Sequence, residues 1–107
     1  MTVIAVLTNL PDSESAFNLA RELLARRLAA CVNVLPAATS FYRWQGRREE
    51  AREHPVLVKT TLERYAEVET AIRELHPYEL PEIIAWPVTA GLPAYLQWVE
   101  TESRPDG

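Results

Sequence analysis

The apolar residues of this chain switch period twice, from near-continuous to helical spacing, and this alternation constrains the fold more than any single motif. Residues 2–8 (TVIAVLT) form an almost unbroken β-branched run, the pattern of a strand covered on both faces. Pro11, Asp12 and Ser13 then stop the strand, and Asp12 or Ser13 offers an oxygen to the free amides of a helix start. Beyond them Ala16, Phe17, Ala20, Leu23, Leu24 and Leu28 recur at helical spacing, and the spacing predicts a first helix ending near Arg27. Glu14 near its start and Arg26 and Arg27 near its end suit the helix dipole.

The second round begins at residues 30–45 (ACVNVLPAATSFYRWQ), which alternate and are rich in β-formers. Pro36 cannot donate to a ladder, so two strand pieces joined by a bend at Pro36 and Ala37 are expected, with Gln45 and Gly46 at a hairpin tip. The mixed-charge residues 47–53 read as a solvated arm, and residues 55–60 as a strand with Pro55 at its entry. Thr61 is placed to cap a second helix whose apolar stripe is Tyr65, Val68, Ile72 and Leu75, ended by Pro77. Residues 80–88 (LPEIIAWPV) suggest a further strand near an edge, because Pro81 and Pro87 punctuate it. Pro93 opens a short third helix with Tyr95, Leu96 and Val99 as its stripe, and residues 103–107 are expected to be loose. The order is β-α-β-β-α-β plus a short helix: an α+β, ferredoxin-like domain with an antiparallel sheet and both main helices on one face. At 107 residues the chain suits one domain. Its hairpin arms are longer than so small a core needs, so a neighbouring subunit is expected to support them.

Composition excludes several functions. Three glycines, Gly46, Gly91 and Gly107, cannot spell GxGxxG or a P-loop. A single cysteine, Cys31, allows no intrachain disulfide and no CxxC pair. A net charge of −4 argues against a nucleic-acid scaffold, and no apolar run approaches the ~18 residues of a membrane span. The first residues lack the basic and small-residue pattern of a signal peptide, so a cytoplasmic location is expected.

The candidate functional residues are few. Cys31, flanked by small apolar neighbours, reads as a buried, inert core thiol. His54 lies in a charged stretch and is expected to face solvent. His76 lies at a helix end, where the dipole favours its protonated form and a capping role is natural; as a metal ligand it would need carboxylates such as Glu79 and Glu82, or a second subunit. Alternation puts Tyr42 and Trp44 on one face of a strand, suited to a subunit interface or, less readily in an acidic chain, to base stacking. Lys59, the only lysine, is either an anion-binding group or an ion-pair partner for Glu82. No triad, acid–base pair or Walker motif is present.

Read in order, the segments LAACVN (28–33), TSFYRWQG (39–46), VKTT (58–61), HPY (76–78), PEI (81–83) and YLQW (95–98) resemble the CutA family of divalent-cation-tolerance proteins, over nearly the whole chain. The resemblance implies a tight homotrimer with sheets extended between subunits, similarity to trimeric PII-type signalling proteins, no enzymatic activity, and an association with copper or another divalent cation without an obligatory cofactor. Copper-ligand positions proposed for some members correspond here to Leu7, Leu75 and His76, so His76 and Glu82 remain as candidate ligands. The alternative is a PII-like regulatory module that binds an anionic metabolite or a partner protein in an intersubunit cleft, with Lys59, Ser40 and Tyr78 as its cleft residues.

Overall fold

The computed structural model describes residues 2–105. Strand β1 (Val3–Leu10) leads to helix α1 (Ser13–Ala25), β2 (Cys31–Val34), β3 (Ala38–Trp44) and β4 (Arg47–Thr61). A single 3-10 turn (Leu62–Arg64) precedes α2 (Tyr65–Leu75), and β5 (Ile84–Pro87) and α3 (Pro93–Glu102) complete the chain. The antiparallel sheet runs β2-β4-β1-β5, with β3 paired to the far end of β4. This is the expected ferredoxin-like arrangement, its second strand broken in two at Pro36 and Ala37.

The core lies between the sheet and the two main helices. Ile4, Val6 and Leu10 of β1 and Val56 and Val58 of β4 pack against Ala16, Leu19 and Leu23 of α1 and Val68, Ala71 and Ile72 of α2. The α1 stripe is therefore Ala16, Leu19 and Leu23; Phe17 and Leu24, expected on it, are 45% and 47% exposed. Their spacing places them one residue round the helix from the buried line. Asp12 caps α1 by accepting from the Ser15 amide at 2.7 Å. The helix stops at Ala25 because Arg27 turns left-handed (φ 55°), and the Leu28 amide donates back to the Leu23 carbonyl at 2.9 Å.

Four further expectations are corrected. Residues 47–53 are a solvated arm except for the buried Glu53, but they are regular strand, the first half of the 15-residue β4, and Pro55 lies inside that strand opposite Asn9. Proline is tolerated there because the ladder changes partner nearby, from β3 to β2, across the bend at Pro36 and Ala37. Thr61 makes no side-chain cap; it is buried in the sheet, and the 3-10 turn starts α2 instead. The last strand shrinks from residues 80–88 to the four of β5, since Pro81 lacks a ladder amide and only four residues pair with β1. Ser103 at the start of the tail is buried, and the Arg104 carbonyl accepts from Arg27 Nε at 2.8 Å, so that part is held; residues 106 and 107 lie outside the described residues.

Helix α3 packs on the opposite face of the sheet from α1 and α2. There Val3 and Ala5 are buried, on the face that alternation turns away from Ile4 and Val6, and Val99 is the buried residue of α3. Next to it Ile84 lies opposite Leu7 and Trp86 opposite Ala5. Ile84, Trp86 and Trp98 remain 49%, 43% and 43% exposed. The Val88 amide donates to the Val3 carbonyl at 2.9 Å, which sets the phase of β5: Pro87 presents its backbone to the free edge.

The β3–β4 hairpin projects beyond this body and stretches the molecule to 44 × 26 × 23 Å. Its tip is the expected pair, Gln45 (φ 49°) and Gly46 (φ 78°), two successive left-handed residues as a tight hairpin turn requires.

Candidate functional site

Where the hairpin leaves the sheet, the chain after α2 folds back against it and leaves a cleft of about 910 Å³. One wall is β3, whose alternation sends Ser40, Tyr42 and Trp44 to the same side, with Phe41 at the rim. The opposite wall is residues 77–82, kept irregular by Pro77 and Pro81. Glu53 of β4 and Asn9 of β1 line the cleft between the two walls.

His76 holds the second wall in place. Its Nδ1 accepts from the Tyr78 amide at 3.1 Å, so Nε2 carries the proton and donates to the Asn9 carbonyl at 2.7 Å. The rings of His76 and Tyr78 are tilted against each other with centroids 4.8 Å apart. Burial pushes the imidazole below its ordinary pKa, outweighing the Asn9 hydrogen bond and the nearby Glu53 charge. The neutral ring is thus the resident form, which corrects the expectation of a dipole-favoured imidazolium.

Tyr78 extends the chain of contacts. Its hydroxyl donates to Glu53 Oε2 at 2.9 Å, and burial together with that carboxylate holds the phenol well above its ordinary pKa. Asn9 donates from Nδ2 to Glu82 Oε1 at 3.1 Å. One network therefore links both walls: Glu82 to Asn9, Asn9 through its carbonyl to His76, His76 to Tyr78, and Tyr78 to Glu53.

The structure gathers Ser40, Tyr42, Trp44, Tyr78, Glu79 and Glu82 around one cleft and leaves Lys59 out of it. Lys59 lies opposite Cys31 and hydrogen-bonds Asn33 Oδ1; it neither meets Glu82 nor shares a cleft with Ser40 and Tyr78. Within one subunit, then, Lys59 and the Ser40 and Tyr78 cleft are separate. His76 is corrected as a free metal ligand, since both ring nitrogens are already engaged within the subunit. Among the described residues no three His, Cys, Asp or Glu side chains converge on a metal position, so one subunit alone does not fit a copper centre. Cys31 is half-buried, not fully buried; its Sγ lies 3.8 Å from Asn33 Oδ1, and it neighbours the Tyr95 phenol of α3. His54 is half-buried, with Nδ1 3.1 Å from the Leu35 carbonyl.

Glu53 was missed, though it is only 6% exposed and central to the cleft. It sits in a run of alternating charges that looks solvated, and its burial depends on a tyrosine 25 residues away. The one usable signal was the hairpin tip: counting back from Gln45 and Gly46 pairs Glu53 with Ala38, on the same side as Tyr42.

Comparison with known proteins gives a consistent set of similarities. Residues 4–102 match the family described as CutA1 divalent ion tolerance protein. The chain is 45% identical over 94 residues to the divalent-cation tolerance protein CutA of Thermus thermophilus, covering 88% of this chain and 91% of that protein. The crystal structure of CutA from Xylella fastidiosa superposes with a TM-score of 0.92 at 45% identity, covering 95% and 98% of the two chains. A structure from Archaeoglobus fulgidus, described as a periplasmic divalent cation tolerance protein CutA, gives a TM-score of 0.92 at 35% identity over 95% and 99%.

Proposed function

This chain belongs to the CutA1 divalent ion tolerance family, and from that premise we propose that it serves divalent-cation tolerance as a non-catalytic homotrimer. The observation that carries the reading is the uncovered apolar face beside α3, where Ile84, Trp86 and Trp98 are two-fifths or more exposed. A domain of this size does not leave an indole and an isoleucine on the same face of an edge strand in water without cause, and covering them with a second copy removes that cost. Tyr42 and Trp44, expected at the interface, stand in this reading as the β3 wall of the cleft.

Metal contact, in the same reading, is weak and shared between subunits. The donors one subunit offers at its surface are the carboxylates of Glu79 and Glu82, both exposed on the cleft's second wall, while His76 keeps its structural role. A cytoplasmic location belongs to the proposal as well, and cell fractionation checks it.

Light scattering tests the assembly: the expected mass is three times 12.1 kDa at micromolar concentration, and a monomer overturns the reading. Calorimetric titration of the assembled protein with copper and zinc tests the metal contact. Glu82→Gln is expected to weaken binding, and His76→Ala to lower stability without abolishing it.

A further inference from the structure

Glu53 is 6% exposed, yet its carboxylate has no ion-pair partner among the described residues and a single hydrogen bond, from the Tyr78 hydroxyl. A carboxylate with no countercharge beside it, set among aromatic rings, suits a cation better than an anion. The groups around it suit one kind. Phe41, Tyr42, Trp44 and Tyr78 line the same cleft, which also carries Glu79 and Glu82, and no lysine, arginine or histidine lines it among the described residues.

We propose that this cleft binds a small organic ammonium ion, held over the aromatic rings and neutralised by Glu53. Aromatic faces attract a weakly hydrated organic cation, and quaternary ammonium groups are the usual guests of such cages. A hydrated divalent metal fits less well, because it demands several converging oxygens and the described carboxylates do not converge. The cleft's volume of about 910 Å³ exceeds what a single ion fills and falls in the range of sites for small molecules. This inference goes beyond the tolerance role: it assigns a guest to the cleft between β3 and residues 77–82.

The test is calorimetric titration of the full chain at low salt with choline, with tetramethylammonium, with the neutral choline isostere 3,3-dimethylbutan-1-ol, and with zinc alone. Both ammonium ions are expected to bind, and the neutral isostere about tenfold or more weaker. Glu53→Gln and Trp44→Ala should each weaken choline binding by about tenfold. Should Glu53→Gln fail to fold, Trp44→Ala, whose ring is already 39% exposed, carries the test together with Glu82→Gln. Three results overturn the proposal: equal binding of the neutral isostere, which makes the cleft a merely apolar slot; zinc displacing choline at equal concentration; or no choline binding in the millimolar range. Sedimentation of the same samples separates a failed cleft from a failed assembly.

Discussion

At the scale of single residues, His76 shows what sequence could and could not supply. Its place at a helix end before Pro77 was legible, because proline stops helices locally. Its partners were not, since the Asn9 carbonyl lies 67 positions away and only the folded sheet brings it near. The buried ring yields a pH prediction. Its folded pKa lies below the unfolded value of about 6.5, so the unfolded chain takes up the proton first as the pH falls. The stabilisation is complete above about pH 6.5 and is lost as the pH falls through the folded value. Urea denaturation should therefore show lower stability at about pH 5.5 than at about pH 7.5, and His76→Gln should shrink that difference. An undiminished difference in the variant would assign the pH effect elsewhere. Leu19 is the other instructive residue: fully buried, it belonged to the α1 stripe while the more conspicuous Phe17 did not. Leu19→Ala should cost roughly 2–5 kcal/mol by chemical denaturation, whereas Phe17→Ala should cost under about 1 kcal/mol.

Among the elements, those with one clear period were legible and those with competing signals were not. Strand β1 follows its near-continuous apolar pattern because helices cover both of its faces, and α2 follows its stripe because one face meets the core. Strand β4 breaks the rule, since its first half carries five glutamates and arginines before Glu53 and is made a strand by pairing with β3. Local composition favoured coil; the neighbouring strand decided otherwise. The hairpin that enforces this pairing depends on its two left-handed turn residues. Gly46 has open space where a Cβ would go, so Gly46→Ala strains only the backbone and should cost about 1 kcal/mol. Gln45→Asn, with a side chain better suited to positive φ, should gain a few tenths of a kcal/mol. Thermal melts of both variants check the pair, and opposite signs are expected.

For the whole molecule, the fold class followed from element order. The exposed apolar face proposed for the partner was less legible, because it takes the pairing of β5 with β1 to put Ile84 and Trp86 on the side of the sheet where α3 packs. Trp86→Lys puts a charge on that face and is expected to shift the assembly towards monomer in light scattering, while circular dichroism stays unchanged. A full-size assembly would move the interface elsewhere. Strand β5 also bears on how such an assembly ends. An exposed edge normally invites one copy after another, because each added strand leaves a fresh edge behind it. Here the outward register falls on Ala85 and Pro87, and proline has no amide to give, so the strand offers a newcomer a single outward donor. A short, donor-poor edge is a poor template for strand-by-strand growth, so one imino acid at the rim guards this sheet against open-ended addition.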